Sequence, residues 1–173
     1  MRTKTVNVYK FSELSDKAKE RAKSNYATGE GYVWAGEAMD SLKALAKHFD
    51  GQLKDYEIDW FNSSYSSASF DMPEMTEREI RAKLKELGSY NRKTGKGKGD
   101  CKLTGYCLDE DAIDGFRLAF RGGVRDLSAL MESAFRSWLK AAQDDCEGYY
   151  SDEQFGEHCD VNGYEFDASG DMA

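Results

Sequence analysis

The sequence has 173 residues, 40% of them apolar and 13% aromatic, with one proline, two histidines and a formal charge of −8 from 32 acids and 24 bases. A chain of this length buries about 70% of its unfolded surface, so its core holds without disulfide staples, and its aromatic content excludes the disordered class. No run reaches the roughly 18 apolar residues that a membrane helix needs and no apolar signal core follows Met1, so a cytoplasmic protein with free thiols is the expectation.

Residues 5–11, Thr-Val-Asn-Val-Tyr-Lys-Phe, alternate and are rich in β-branched and aromatic types, which predicts a strand. Ser12 and Ser15 then offer N-caps. Leu14, Ala18, Ala22 and Tyr26 recur every four residues on a helix that Gly29 and Gly31 end. Trp34, Ala38, Leu42, Leu45 and Phe49 set a second helix with Gly51 as its stop, and His48 lies at its end, where an imidazole complements the helix dipole.

From Asp55 the period drops to two, with Tyr56, Ile58 and Trp60 on one face and Asp55, Glu57 and Asp59 on the other. Asn62, Ser63 and Ser64 make a turn, and Ala68, Phe70 and Met72 return as the second arm of an antiparallel hairpin that Pro73 ends. Residues 76–87 form a charged helix with the narrow stripe Ile80, Leu84 and Leu87. Residues 91–99 contain no apolar side chain, and Arg92, Lys93, Lys96 and Lys98 make the stretch at about 90–102 a mobile basic loop that could touch nucleic acid or an acidic protein face.

Ile113, Phe116 and Phe120 mark the next helix, before Gly122 and Gly123. The strongest helix runs from about 125 to 145 on Leu127, Leu130, Met131, Ala134, Trp138 and Ala142. Ser151 caps a short acidic segment, and Asn162-Gly163 turns the chain into a last strand at 164–167. Trp34, Trp60 and Trp138 are assigned to the core. The order β-α-α-β-β-α-α-α-α-β predicts a single α+β domain over 1–173, with a small, mostly antiparallel sheet of about four strands packed by several helices.

The charge is uneven: the net is 0 over residues 1–60, +3 over 61–108 and −11 over 109–173. After Lys140 there is no Lys or Arg, while ten acids follow, among them Asp144, Asp145, Glu147, Asp152, Glu153, Glu157 and Asp160. A surface made by this acidic part, 144–173, repels a phosphate backbone and attracts a basic groove. Tyr149 and Tyr150 beside these acids are either a partner-contact hot spot or a cover over the core edge.

Several catalytic and metal readings fail on spacing. A zinc site drawn from Cys101, Cys107, Cys159 and His158 has five residues between its first two cysteines, more than the usual knuckle, and no second C-x-x-C pair. Residues 109–115 resemble a calcium loop, yet Ile113 and Arg121 stand where oxygen ligands belong, so these acids are expected in the first turn of a helix. Gly95-Lys96-Gly97-Lys98-Gly99 lacks the Ser/Thr and the strand–helix setting of a phosphate loop, and the serines at 63–67 lack a nucleophile elbow. No catalytic residue, metal or cofactor is assigned.

Residues 11–15 (Phe-Ser-Glu-Leu-Ser) with Ala18, Lys19 and Ala22, His48-Phe49-Asp50-Gly51 with Leu53-Lys54-Asp55, and Leu103-Thr104-Gly105-Tyr106-Cys107 with Asp109-Glu110-Asp111 resemble one family. So do residues 137–143 (Ser-Trp-Leu-Lys-Ala-Ala-Gln), Tyr149-Tyr150-Ser151-Asp152-Glu153 and residues 162–166 (Asn-Gly-Tyr-Glu-Phe). The family is that of small phage and prophage proteins often labelled "antitoxin of toxin–antitoxin stability system". The resemblance implies a bacteriophage origin and action in the cytoplasm of an infected bacterium, and it carries over no catalytic residues. By analogy of source, it points to counter-defence, in which small acidic phage proteins disable restriction, CRISPR and related host machines.

The leading expectation is therefore a non-enzymatic protein that binds and inhibits a nucleic-acid-handling bacterial protein, as an anti-CRISPR or anti-restriction factor, by presenting a DNA-mimicking acidic surface. The alternatives are an antitoxin-like module that neutralises a toxin, with the loop at Arg92–Lys98 as its only basic contact, and a small metal- or thiol-dependent enzyme built on Cys101, Cys107 and the acids at 109–114.

Overall fold

The computed structural model of the protein describes residues 7–90, 97, 98 and 103–173. It is α+β: the described residues form six helices, α1 (Asp16–Glu30), α2 (Ala35–His48), α3 (Glu77–Glu86), α4 (Leu108–Arg121), α5 (Leu127–Tyr149) and α6 (Asp152–Asn162). Strands β1 (Gln52–Glu57) and β2 (Ser67–Asp71) pair antiparallel, and Ser89–Tyr90 makes a two-residue ladder with Gly97–Lys98. The chain divides into two compact units, residues 1–33 with 145–173, and residues 34–144. The rest of the basic loop expected at 90–102, with Arg92, Lys93 and Lys96, lies outside the described residues, as does Cys101. Among the described residues no helix is long and apolar enough to cross a membrane.

In the first unit Ser15 caps α1 by accepting a hydrogen bond from the Ala18 amide, and Leu14, Ala18 and Ala22 are buried as their spacing predicts. Gly29 stays inside the helix, and Gly31 is the residue that ends it. Ser151 likewise caps α6, which buries Phe155 and Cys159 and stops at a left-handed Gly163. Phe11, Leu14, Ala18, Ala22, Phe155, Cys159 and Phe166 form one apolar cluster, with Phe11 meeting Phe155 edge to face at 5.0 Å.

Thr5 and Val6 of the expected first strand lie outside the described residues, and among those described the first and last strands are single bridges, Tyr9 with Phe166 and Phe166 with Met172. Two turns cut them short. A 3-10 turn at Phe11–Glu13 follows Tyr9, and the Asp167 carboxylate accepts from the amides of Ser169 and Asp171, bending the chain just past Phe166. Gly170 then sits at φ 90, where a Cβ would fall 2.1 Å from the Ala18 carbonyl oxygen.

In the second unit α2 buries Ala38, Leu42, Leu45 and Phe49, and the Phe49 ring stacks on Phe116 of α4 with centroids 4.4 Å apart. α5 contributes Leu130, Met131, Ala134 and Trp138, all fully buried. α4 and α5 cross at Gly115, where a Cβ would lie 2.7 Å from the Ser133 carbonyl oxygen. Trp34 departs from the core assignment: it precedes α2 as its N-cap residue and is 47% exposed, because the buried stripe begins one turn later at Ala38. Trp60 is half-buried with its ring 5.9 Å from that of Trp138.

The hairpin starts at Gln52, before the predicted Asp55, and its register slips between Leu53 and Asp55. The slip resets the alternation, and Tyr56 is 50% exposed instead of inward. Ile58 and Trp60 lie beyond the strand, since the Asp59 carboxylate accepts from the amides of Phe61 and Asn62 and turns the chain there. α3 opens on a capping box between Thr76 and Glu79. His48 has a second role beside its place in the last turn of α2: its Nε2–H donates to the Lys83 carbonyl at 2.9 Å, while Lys83 Nζ donates to the His48 carbonyl at 2.7 Å.

A candidate acidic binding surface

Of the acidic residues predicted to bind a partner, Asp144 belongs to the second unit and the others to the first. Within the first unit they stand on the end of α5 and on α6, and Asp145, Glu147, Asp152, Glu153, Glu157 and Asp160 are all exposed. Glu153, Glu157 and Asp160 follow at helical spacing on the side of α6 away from the buried Phe155 and Cys159.

The fold supplies these acids with cations that the last 33 residues lack. Asp152 binds Lys23 at 2.8 Å and Lys19 at 3.6 Å, Asp160 binds Lys10 at 3.7 Å, and Asp171 accepts from Arg21 Nε at 2.9 Å. The first unit as a whole has thirteen acids and seven bases, a net of −6. The hydrogen bond from Lys23 holds the Asp152 carboxyl below the usual carboxylate range; for Lys23, burial works against its charge, but its bonds to Asp152 and Glu20 prevail and raise its pKa. Asp145 accepts from the Tyr32 hydroxyl. Among the described residues, Glu147, Glu153 and Glu157 make no ion pair with a base. The negative surface is thus narrower than the run of ten acids suggests, and among the described residues its exposed carboxylates without an ion pair include these three glutamates.

The Asp152 pairs give a small, signed pH effect. Because the folded carboxyl lies below its unfolded value, the pairing stabilises the protein above the unfolded pKa and is lost as pH falls through the folded one. Asp152→Asn is expected to cost under about 1 kcal/mol at neutral pH, since the carboxylate is largely solvated. In urea titrations the gap between variant and parent should close as the solution is acidified below the carboxylate range.

Tyr149 and Tyr150 are half-buried, and Tyr150 packs against the cluster around Phe11 and Phe155. The Tyr150 hydroxyl donates to the Gly31 carbonyl at 2.6 Å, and burial pushes its pKa up to about 12. The Tyr149 oxygen is buried and makes no contact of hydrogen-bond geometry, although it lies close enough to Tyr26 to act with burial in raising that phenol's pKa. His158 is ringed by Tyr26, Tyr149, Phe155 and Tyr164, and its Nε2 shares a 2.9 Å hydrogen bond with the Tyr26 hydroxyl. These rings tie α6 to α1 and to the end of α5, and so fix where the exposed glutamates point.

Among the described residues, which leave out Cys101, the metal and thiol alternatives gain no geometry. Cys159 and His158 belong to the first unit, with Cys159 in its core, while Cys107 is exposed in the second. Burial lifts the thiols of Cys146 and Cys159 to about 11, so both are protonated at neutral pH. Asp109, Glu110 and Asp111 stand in the first turn of α4, as expected, and Asp109 is fully buried with both oxygens spent on Thr104 and Gly105. Among the described residues no group of three or more His, Cys, Asp or Glu side chains could hold a metal ion.

Sequence reasoning missed the cations of α1 as partners of the C-terminal acids. The available signal was Lys19 and Lys23, four residues apart beside the buried Ala18 and Ala22. No family model matches the chain, and neither a curated protein nor a solved structure matches it.

Proposed function

We propose that this chain is a non-enzymatic binding protein of bacteriophage type that attaches to a nucleic-acid-handling protein of the host, a defence enzyme above all, and occupies the basic groove meant for DNA or RNA. The observation that carries this reading is the stretch after Lys140 with ten acids and no base, of which Glu147, Glu153 and Glu157 stay exposed and make no ion pair among the described residues. Glu153 and Glu157 are one turn apart on α6, about 6 Å along its axis, so two carboxylates are offered at fixed spacing from a capped helix. Charge complementarity of this kind acts chiefly on association rate and specificity.

The test is a salt titration of the complex with the captured host protein, run on the parent and on the triple variant Glu147→Lys, Glu153→Lys, Glu157→Lys. The parent should bind steeply more weakly as salt rises, and the variant should lose most of its low-salt affinity. Equal binding by both at low and high salt would remove electrostatic mimicry.

A further inference from the structure

The second unit holds a groove of about 540 Å³ between the turn that joins β1 to β2 and the outer face of α5. Its volume falls within the roughly 300–1,000 Å³ typical of small-ligand sites. The lining is mixed. Phe135 and Leu139, each 5% exposed, give an apolar floor. Arg136 and Lys140, one helical turn apart on α5, place two cations at its edge.

The cations are available to an anion. Arg136 donates to Glu132 at 2.6 Å, but both side chains are mostly exposed, at 74% and 56%, and such solvated pairs exchange easily. Among the described residues Lys140 makes no ion pair with an acid. The opposite wall carries the hydroxyls of Ser64, Ser66 and Ser67. That wall is held in place, because Ser66 is bonded to the backbone of Asp59, and Gln143 of α5 donates to the Asp59 carbonyl at 3.1 Å.

We infer that this groove binds a nucleoside phosphate, with the phosphate taken by Arg136, Lys140 and the Ser64 and Ser67 hydroxyls and the base laid against Phe135 and Leu139. A phosphate alone would use only the edge of such a volume, and the apolar floor beside paired cations matches a flat ring joined to an anion. The nucleoside phosphate is either a free nucleotide or one residue of a single strand. The inference is independent of the acidic surface, since no residue of the groove belongs to it.

Calorimetric titration of the full chain at low salt with AMP, inorganic phosphate and oligothymidylate tests it. AMP should bind at millimolar concentration or below and more tightly than inorganic phosphate. The double variant Arg136→Gln, Lys140→Gln should lose about tenfold or more in affinity. Lys43→Gln, which removes an exposed cation of α2, should bind like the parent. All three substituted side chains are exposed, so unchanged melting temperatures are expected and confirm that folding is intact. Tighter binding of oligothymidylate than of AMP assigns the site to single strands, and the reverse order assigns it to free nucleotides. No heat with either, equal affinity for inorganic phosphate and AMP, or parent-like binding by the double variant overturns the inference.

Discussion

Trp138→Ala is expected to destabilise the second unit by about 3–5 kcal/mol, the range for deleting a fully buried tryptophan. Trp138 is 0% exposed, lies against Phe135 with ring centroids 6.0 Å apart and against Trp60 at 5.9 Å, and donates its indole N–H to the Ala38 carbonyl at 3.0 Å. Truncation therefore opens a cavity and removes the bond that joins α5 to α2. Urea unfolding followed by circular dichroism reads the loss without depending on the deleted fluorophore. Trp34→Ala serves as the contrast, because that ring is 47% exposed, and it should shift stability by no more than about 0.5 kcal/mol. Comparable losses from the two substitutions would contradict the placement of both rings.

Asp109→Ala should cost about 3 kcal/mol, as the loss of several charge-assisted hydrogen bonds to a buried carboxylate. Oδ2 accepts the amides of Thr104 and Gly105, both at 2.8 Å, and Oδ1 accepts the Thr104 hydroxyl at 2.9 Å. The carboxylate thus fastens the loop at 103–106 to the start of α4. With alanine the two amides lose their partner in a site where Asp109 itself is 0% exposed. Asp109→Asn should fall between parent and alanine, because a carboxamide keeps one accepting oxygen and turns an N–H₂ toward a donor. The same unfolding measurement decides, with limited proteolysis at 103–106 as the local readout. A change below about 0.5 kcal/mol for Asp109→Ala would mean that the loop holds by other contacts.

The helices were legible wherever an apolar stripe repeats at helical spacing. Ala38, Leu42, Leu45 and Phe49 marked α2, and Leu130, Ala134 and Trp138 marked α5, because burial on one face is what such a stripe is for. The strands were less so. The slip beside Lys54 is a backbone irregularity that no side-chain alternation announces, and the Tyr9–Phe166 bridge joins single residues from opposite ends of the chain. The acidic run was plain in the sequence, whereas its partial neutralisation was not. The Lys23–Asp152 pair spans 129 positions, and the spacing of Lys19 and Lys23 on α1 does not say which acid they meet. The groove was hidden for the same reason: the serines at 63–67 show only a polar turn, and nothing in the sequence sets Arg136 and Lys140 of α5 beside them.

Competition with duplex DNA tests the central claim most directly. The parent chain and the Glu147→Lys, Glu153→Lys, Glu157→Lys variant are immobilised, loaded with lysate of a susceptible bacterium and then washed with short duplex DNA at constant salt. If the acidic face occupies a nucleic-acid groove, the parent retains a host nucleic-acid-binding protein that the duplex releases, and the variant retains little of it. Retention that the duplex leaves untouched, or that is the same on the charge-reversed variant, would contradict the account.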